Sequence, residues 1–140
     1  MEKLTVVGWK EWVSLPELGI ARLKAKVDTG ARTSSLHTYF IEPFEKGGAP
    51  MVRFGVHPFQ KKRLGGHICE APVADKRRIR TSSGEDQYRY IIITEIKMGR
   101  QSFPLELSLS NRDAMLFRML LGRTALRGRF VIDPYKKYLL

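Results

Sequence analysis

Residues 24–37 read KAKVDTGARTSSLH, and the rest of the chain is best interpreted from this segment. It begins as a strand, because Leu23, Ala25 and Val27 alternate with charged residues, and it breaks at an Asp-Thr-Gly turn over residues 28–30. A carboxylate at the end of a buried strand is held by backbone donors while substrate still reaches it. The alternative is an Asx-type turn that caps the strand, because Asp and Gly both favour turns.

A second segment, MLLGRTAL at residues 119–126, places two leucines before a glycine and an arginine. Together the two segments resemble the retropepsins, the half-size aspartic proteases of retroviruses. The wider match includes GWKEWVSLPELGI at 8–20 and SNRDAM at 110–115. Over residues 7–140 the chain resembles one bacterial family of retropepsin-like proteins, named ATP-dependent zinc proteases, associated with the RimK glutamate ligase and also called RimB.

The resemblance implies an all-β, retropepsin-like closed barrel with one or two short helical turns, formed by a single domain over residues 1–140. It also implies catalysis by Asp28. In this reaction class two carboxylates share one proton, and one Asp-Thr-Gly supplies only one of them, so we expect a homodimer. The apolar end at 138–140 is then expected to contribute to a sheet between the subunits. The resemblance assigns Thr29, Gly30 and Ala31 to loop support, and Leu120, Leu121, Gly122 and Arg123 to the adjoining psi-loop.

Arg32 marks a departure from the viral enzymes, which have an Asp at the matching position. A cation beside the cleft favours an acidic substrate or a structural ion pair. The viral enzymes have a glycine-rich flap, and the candidate for it here is residues 79–90, which contain only one glycine and have a polar tip flanked by arginines. The candidate flap tip is Thr81, Ser82, Ser83 and Gly84, and the candidate substrate-binding cations are Arg32, Arg78, Arg80 and Arg89.

The remaining pattern is one of many short strands separated by turns, which favours an all-β domain. Residues 43–50 hold two glycines and two prolines and are predicted to form a loop. Residues 57–66 are predicted to be a surface insertion, and Asn111 is predicted to cap a helical turn over 112–117. Strands are predicted over 4–9, 12–15, 35–41, 51–56, 87–97, 101–109, 130–133 and 137–140, with a break at 10–11.

Charge and composition restrict the class of partner. The chain has 140 residues, 43% of them hydrophobic, and a formal net charge of +11. The basic clusters at 61–63 and 76–78 are compatible with a solvated face, with an acidic polypeptide or with nucleic acid, of which nucleic acid is not favoured. A single cysteine excludes an internal disulfide and favours a reducing, cytoplasmic location. We expect no membrane span or export signal, because no long apolar run is present.

Zinc and ATP, both present in the family's name, have little support in the residues. His57, His67 and Cys69 are the candidate zinc ligands, but no HExxH or CxxC spacing accompanies them. No Walker-type or dinucleotide glycine motif occurs, so nucleotide chemistry would belong to a partner such as the ligase. We therefore expect no cofactor and no metal.

Two functions stay open at this point. The first is a homodimeric aspartic peptidase that acts on an acidic polypeptide. The resemblance suggests as its substrate the glutamate tail that the RimK ligase adds to a small-subunit ribosomal protein. The second is a non-catalytic binding module of retropepsin fold, which docks on the ligase, the ribosome or RNA through its basic face.

Overall fold

The computed structural model of the chain describes residues 3–57, 66–80, 84–112 and 116–140. Nearly all of its regular structure is strand, with a single 3-10 turn at Pro16–Leu18 and one helical turn, α1, at Arg123–Leu126. The strands are β1 Thr5–Val7, β2 Lys10–Leu15, β3 Ile20–Val27, β4 Ser34–His37, β5 Phe40–Lys46, β6 Ala49–Val56, β7 His67–Pro72, β8 Asp75–Arg80, β9 Asp86–Met98, β10 Gln101–Ser110, β11 Met119–Leu121 and β12 Phe130–Ile132.

Six of these strands close into a barrel. Their hydrogen-bonded order is β10-β4-β11-β3-β2-β9, and β9 pairs again with β10, which completes the ring. β8 extends the sheet from β9 outside the ring, and the two form a hairpin. The expected all-β closed barrel with short helical turns is therefore confirmed.

The position of β11 in the sheet brings residues 122–126 next to residues 28–33. β11 lies between β3, to which it is parallel, and β4, to which it is antiparallel. Leu121 at its end is in register with Val27, the last residue of β3. The chain segments that follow these two strands, 28–33 and 122–126, consequently leave the barrel side by side.

The barrel interior is filled by alternating strand residues, as the strand patterns predict. Leu23 and Ala25 of β3 are fully buried, as are Met119 and Leu121 of β11. Facing residues from β9 and β10 complete the same cluster, among them Ile92, Ile96, Leu105, Leu107 and Leu109.

The predicted loop over 43–50 is wrong. β5 and β6 instead form a hairpin that turns at Gly47 and Gly48, whose φ angles are +59° and +81°. Glycine adopts such angles without a steric penalty, and they match the twist of a tight hairpin. Pro43 is tolerated because β5 is the edge strand of the three-stranded β5-β6-β7 sheet.

Both ends of the chain also differ from the predicted strands. The break near the start falls at residues 8–9 rather than at 10–11, because Glu11 is a fully buried residue of β2. Residues 137–140 do not form a strand. Their backbone donors are used by the chain itself: Leu139 and Leu140 donate to the Glu11 carboxylate at 2.9 and 3.1 Å. The tail thus packs on its own barrel through a buried carboxylate.

Other predictions fall partly outside the described residues. Asn111 and residues 112 and 116–117 are described and are not helical, whereas 113–115 are outside the description. The basic cluster 61–63 is outside it as well. None of the helices in the described part of the chain has both the length and the apolar character that crossing a membrane requires.

Candidate active site

The Asp28 loop is fixed by backbone hydrogen bonds. Asp28 follows β3, and its N–H donates to the Leu121 carbonyl at 2.9 Å. The Gly30 N–H donates to Asp28 Oδ1 at 3.0 Å, and the Ala31 N–H donates to the Asp28 carbonyl at 3.2 Å. The geometry is that of an Asx-type turn, as the alternative interpretation holds. The same turn leaves the side chain half-buried at the edge of a cleft, so the two interpretations are compatible.

The psi-loop locks this turn from the other side. The Arg123 N–H donates to the Ala31 carbonyl at 2.8 Å, and the Arg123 guanidinium donates to the Thr29 carbonyl at 2.9 Å. Beneath them the Gly122 N–H donates to the buried Ser34 hydroxyl at 3.0 Å. Two segments 94 residues apart in sequence are therefore joined into one rigid unit.

Only glycine fits at position 122, because the neighbouring backbone leaves no room for a side chain. A Cβ built on it would lie 2.8 Å from the Arg32 carbonyl oxygen and 2.8 Å from the Thr33 carbonyl carbon. Both atoms belong to backbone, which has no flexible side-chain end to move aside. Any other residue would displace the segment that carries Asp28.

The cleft over this loop has a volume of about 460 Å³. Its walls come from the Asp28 loop, from β4 and β10, and from the β8-β9 hairpin. Asp28 is the one carboxylate among the described lining residues, and cations predominate around it. These cations are Arg32, Arg80, Arg89 and Arg112.

The structure separates the sequence-predicted cations. Arg32, Arg80 and Arg89 line the cleft, whereas Arg78 is not among the described residues that do so. Arg78 lies 3.2 Å from the Asp86 carboxylate on the hairpin surface. Of the predicted flap tip, residues 81–83 are outside the described residues, and Gly84 is exposed with a φ of +86°.

Arg112 lines the cleft but is not among the residues that the sequence predicts for the site. It follows the end of β10 by two residues, and nothing in its local sequence distinguishes it from other exposed arginines. Only the closure of the barrel brings it opposite the Asp28 loop. Once the fold is known, a basic residue just after the strand equivalent to β10 can be recognised as a candidate lining residue of the cleft.

The charged form of Arg89 is disfavoured by its surroundings. Burial and the neighbouring charge of Arg112 hold the pKa of its guanidinium below the ordinary value. Its Nε is buried without a hydrogen-bond partner among the described residues, and its Nη2 lies 3.4 Å from the Gln87 side-chain oxygen. A half-buried cation with an unsatisfied donor favours an anion from outside the chain.

An ion pair holds the hairpin to the barrel. Arg77 of β8 donates to both carboxylate oxygens of Glu106 on β10, at 2.7 and 3.0 Å. The hydrogen bond from Arg77, followed by smaller contributions that include the charge of Arg32, holds the pKa of Glu106 below its usual range. The basic cluster at 76–78 is thus partly engaged in holding the cleft wall.

His37 is buried behind the arginines. It is 3% exposed, and its Nδ1 lies 2.6 Å from the Ser110 hydroxyl. Burial, followed by the charges of Arg89, Arg112 and Arg118, lowers the pKa of His37 to about 4. The imidazole is therefore neutral at physiological pH, and its low pKa makes it only a weak base.

This lowered pKa predicts a pH-dependent stability. The unfolded chain, with a His pKa near 6.5, binds a proton before the folded chain does as the pH falls. The free energy of unfolding should therefore decrease between pH 6.5 and about 4, by on the order of 3 kcal/mol. Urea unfolding across this range measures the decrease. The variant His37→Gln should show a flatter pH dependence, and an unchanged dependence would contradict the assignment.

The candidate zinc ligands have other partners within the fold. His67 Nε2 donates to the Leu18 carbonyl at 2.7 Å, and the Cys69 thiol points to the same oxygen at 3.5 Å. His57 stacks on Tyr39 with ring centroids 4.2 Å apart. Within the described ranges, no group of three His, Cys, Asp or Glu side chains is arranged to hold a metal ion.

The chain is similar in sequence to parts of longer, curated proteins. It is 49% identical over 129 residues to a probable alpha-L-glutamate ligase of Desulfotalea psychrophila, covering 92% of this chain and 28% of that protein. It is 44% identical over 135 residues to another of Shewanella pealeana, covering 96% of this chain and 30% of that protein. The chain therefore spans less than a third of the length of these relatives.

The fold is shared with a solved structure. A Legionella pneumophila protein of unknown function superposes with a TM-score of 0.80 at 29% identity, over 98% of both chains. Residues 6–140 match the family RimB-like, described as retropepsin-like aspartic endopeptidase RimB. With the barrel, the Asp28 loop and the psi-loop already described, this match shows that the chain belongs to the RimB-like family of retropepsin-like proteins.

Proposed function

We propose that this chain is an aspartic peptidase whose two reacting carboxylates are the Asp28 side chains of two copies. The observation that carries the proposal is the rigid Asp28 turn at the edge of an open cleft, in which Asp28 is the one carboxylate among the described lining residues. An aspartic mechanism needs two such groups, so the second must come from another copy across a two-fold axis.

In the proposed reaction a water molecule lies between the two Asp28 side chains, which share one proton because like charges at about 3 Å cannot both ionise. The ionised carboxylate takes a proton from this water as its oxygen attacks the scissile carbonyl carbon. The protonated carboxylate donates to the developing oxyanion. The Gly30 N–H keeps Asp28 Oδ1 in place throughout.

The proposed substrate is an acidic polypeptide. The arginines around Asp28 supply positive charge on several walls of the cleft. Curated relatives of this chain carry the name alpha-L-glutamate ligase, and the matched segment forms 28–30% of their length. A glutamylated polypeptide is the substrate consistent with both the positive cleft and the ligase names of the relatives. A glutamate ligase of this type is the proposed partner.

A non-catalytic binding module is the second candidate, and one observation favours it. The outer face of β2 and β3 carries cations ordered on an aromatic ring: the Arg22 guanidinium lies 3.8 Å and the Lys24 ammonium 5.1 Å from the Trp12 ring centroid. Such a face binds polyanions whether or not Asp28 is reactive.

The two candidates are separated by one experiment. The protein is incubated with a glutamylated polypeptide and with its unmodified form, and the products are identified by mass spectrometry. The peptidase is expected to cleave the glutamylated form, and sedimentation is expected to show a dimer. Binding of the glutamylated form without any cleavage, by a protein that stays monomeric with substrate present, would support the binding module instead.

A further inference from the structure

A second cavity adjoins the Asp28 cleft. Its volume is about 370 Å³, and it shares two lining residues, Arg89 and Arg112, with the first. The two arginines therefore form a wall that both spaces share. Beyond this wall the described lining includes Ile41, Tyr88 and Ser110.

The two cavities are spaced along the sheet. Ser35 and Ser108, which are paired in register between β4 and β10, line the first cavity. The next pair on the same face is His37 with Ser110, and Ser110 lines the second cavity. Two strand residues span about 6.6 to 6.8 Å, which is also the distance between side chains i and i+2 of an extended peptide.

The second cavity differs from the first in chemical character. Beyond the shared Arg89 and Arg112, the first cavity adds the charged residues Asp28, Arg32 and Arg80. The second adds no further charged residue among the described lining, which consists of Ile41, Leu109 and Tyr88 beside the neutral polar residues Gln87, Ser110 and Asn111. Tyr88 is 68% exposed, so its side chain is accessible to a ligand. Its place in β9 explains the exposure, because this part of β9 pairs with β8 beyond the closed barrel.

We propose that the second cavity is a substrate subsite for an aliphatic or aromatic side chain, two residues from the acidic residue held in the first cavity. Arg89 and Arg112 bind the carboxylate of that acidic residue from the shared wall. The preferred substrate is then a polypeptide in which an apolar residue adjoins an acidic run, rather than a uniform chain of acidic residues. This inference rests on the proposed function and specifies its substrate.

The test measures binding, so that it does not depend on cleavage. The Asp28→Asn protein is titrated with a fluorescent octapeptide of glutamates and with a series in which one glutamate at a time is replaced by leucine. Fluorescence anisotropy is expected to show at least about tenfold tighter binding for one leucine position, the gain expected when an aliphatic side chain leaves water. Other positions should bind more weakly than the all-glutamate peptide.

Two variants test whether the preference for leucine arises at the second cavity. Tyr88→Ser is expected to reduce the ratio between the best leucine peptide and the all-glutamate peptide to below about threefold. Ile93→Ser is the matched control, because Ile93 is also an exposed apolar residue of β9, at 57%, and lines neither cavity. This control should keep the full ratio.

The outcomes distinguish the inference from the proposed function. If the all-glutamate peptide binds as tightly as every leucine peptide, the subsite is absent while the acidic substrate stands. If a preference for leucine persists in Tyr88→Ser, the apolar side chain binds elsewhere and the inference is wrong. If no acidic peptide binds at all, the proposed substrate class fails and the subsite fails with it.

Discussion

Replacing Asp28 with Asn is expected to lower the rate of peptide cleavage by about 1,000-fold or more while leaving the fold intact. Asn is nearly isosteric with Asp, and its side-chain oxygen keeps the bond from the Gly30 N–H. It cannot take a proton from water, so the proposed reaction stops. Cleavage is measured by mass spectrometry of a glutamylated substrate, and the fold and assembly by circular dichroism and sedimentation.

Asp133→Asn is the matched control for this variant. Asp133 Oδ1 accepts from the Tyr135 N–H at 3.0 Å, the same two-residue turn and the same distance as at Asp28. The control changes the same atoms in the same local geometry, but away from the cleft, and should keep full activity. Activity retained in Asp28→Asn would contradict an aspartic mechanism.

A mixing experiment tests whether the reacting pair is shared. When Asp28→Asn protein is added in excess to wild-type protein, exchange of subunits should convert active dimers into mixed ones. Activity per wild-type chain is then expected to fall as the variant is added. Constant activity, with exchange shown by labelled subunits, would mean that each chain acts alone.

Replacing Glu11 with Ala is expected to lower the free energy of unfolding by about 3 to 5 kcal/mol, more than any surface substitution in this chain. Glu11 is fully buried, and its carboxylate accepts from the N–H groups of Gly8, Leu139 and Leu140. The Ala variant leaves these donors without their acceptor. Urea denaturation measures the loss, and limited proteolysis should show earlier cleavage near the chain end.

Two further variants calibrate this result. Glu11→Gln keeps one acceptor oxygen, so its loss of stability should be intermediate. Glu70→Ala removes an exposed carboxylate that pairs with Arg53 at 3.0 Å, and such pairs contribute about 0 to 1 kcal/mol. If Glu11→Ala is no more destabilising than Glu70→Ala, the buried carboxylate does not hold the tail.

The part of the fold set by local pattern was predictable from sequence. Alternation in 23–27 and in 101–109 gives strands in the right places, and the turn at 28–30 follows from its residues. The hairpin at 47–48 differs from the predicted loop because two adjacent glycines fit a loop and a tight turn with positive φ equally well. The tail was missed because its acceptor, Glu11, lies 128 residues away from Leu139.

The candidate site was only partly predictable for the same reason. The pairing of residues 28–31 with 122–123 followed from resemblance to a family with the same two segments. Arg112 and the shared wall it forms with Arg89 depend on how β9 and β10 close the barrel, which no local pattern states. Long-range placement of charge is the information that three-dimensional structure adds here.

The bond between Arg77 and Glu106 has a consequence for how dissolved salt acts on the cleft. The hydrogen bond from Arg77 holds the pKa of Glu106 below its usual range, so the ionised carboxylate is the form that the pair stabilises. The β8-β9 hairpin, which lines the cleft, is thus tethered in part by an exposed ion pair that salt weakens. For the proposed peptidase, rising ionic strength is then expected to act in two ways: it slows the capture of an acidic chain, and it loosens the wall of the cleft that the hairpin supplies.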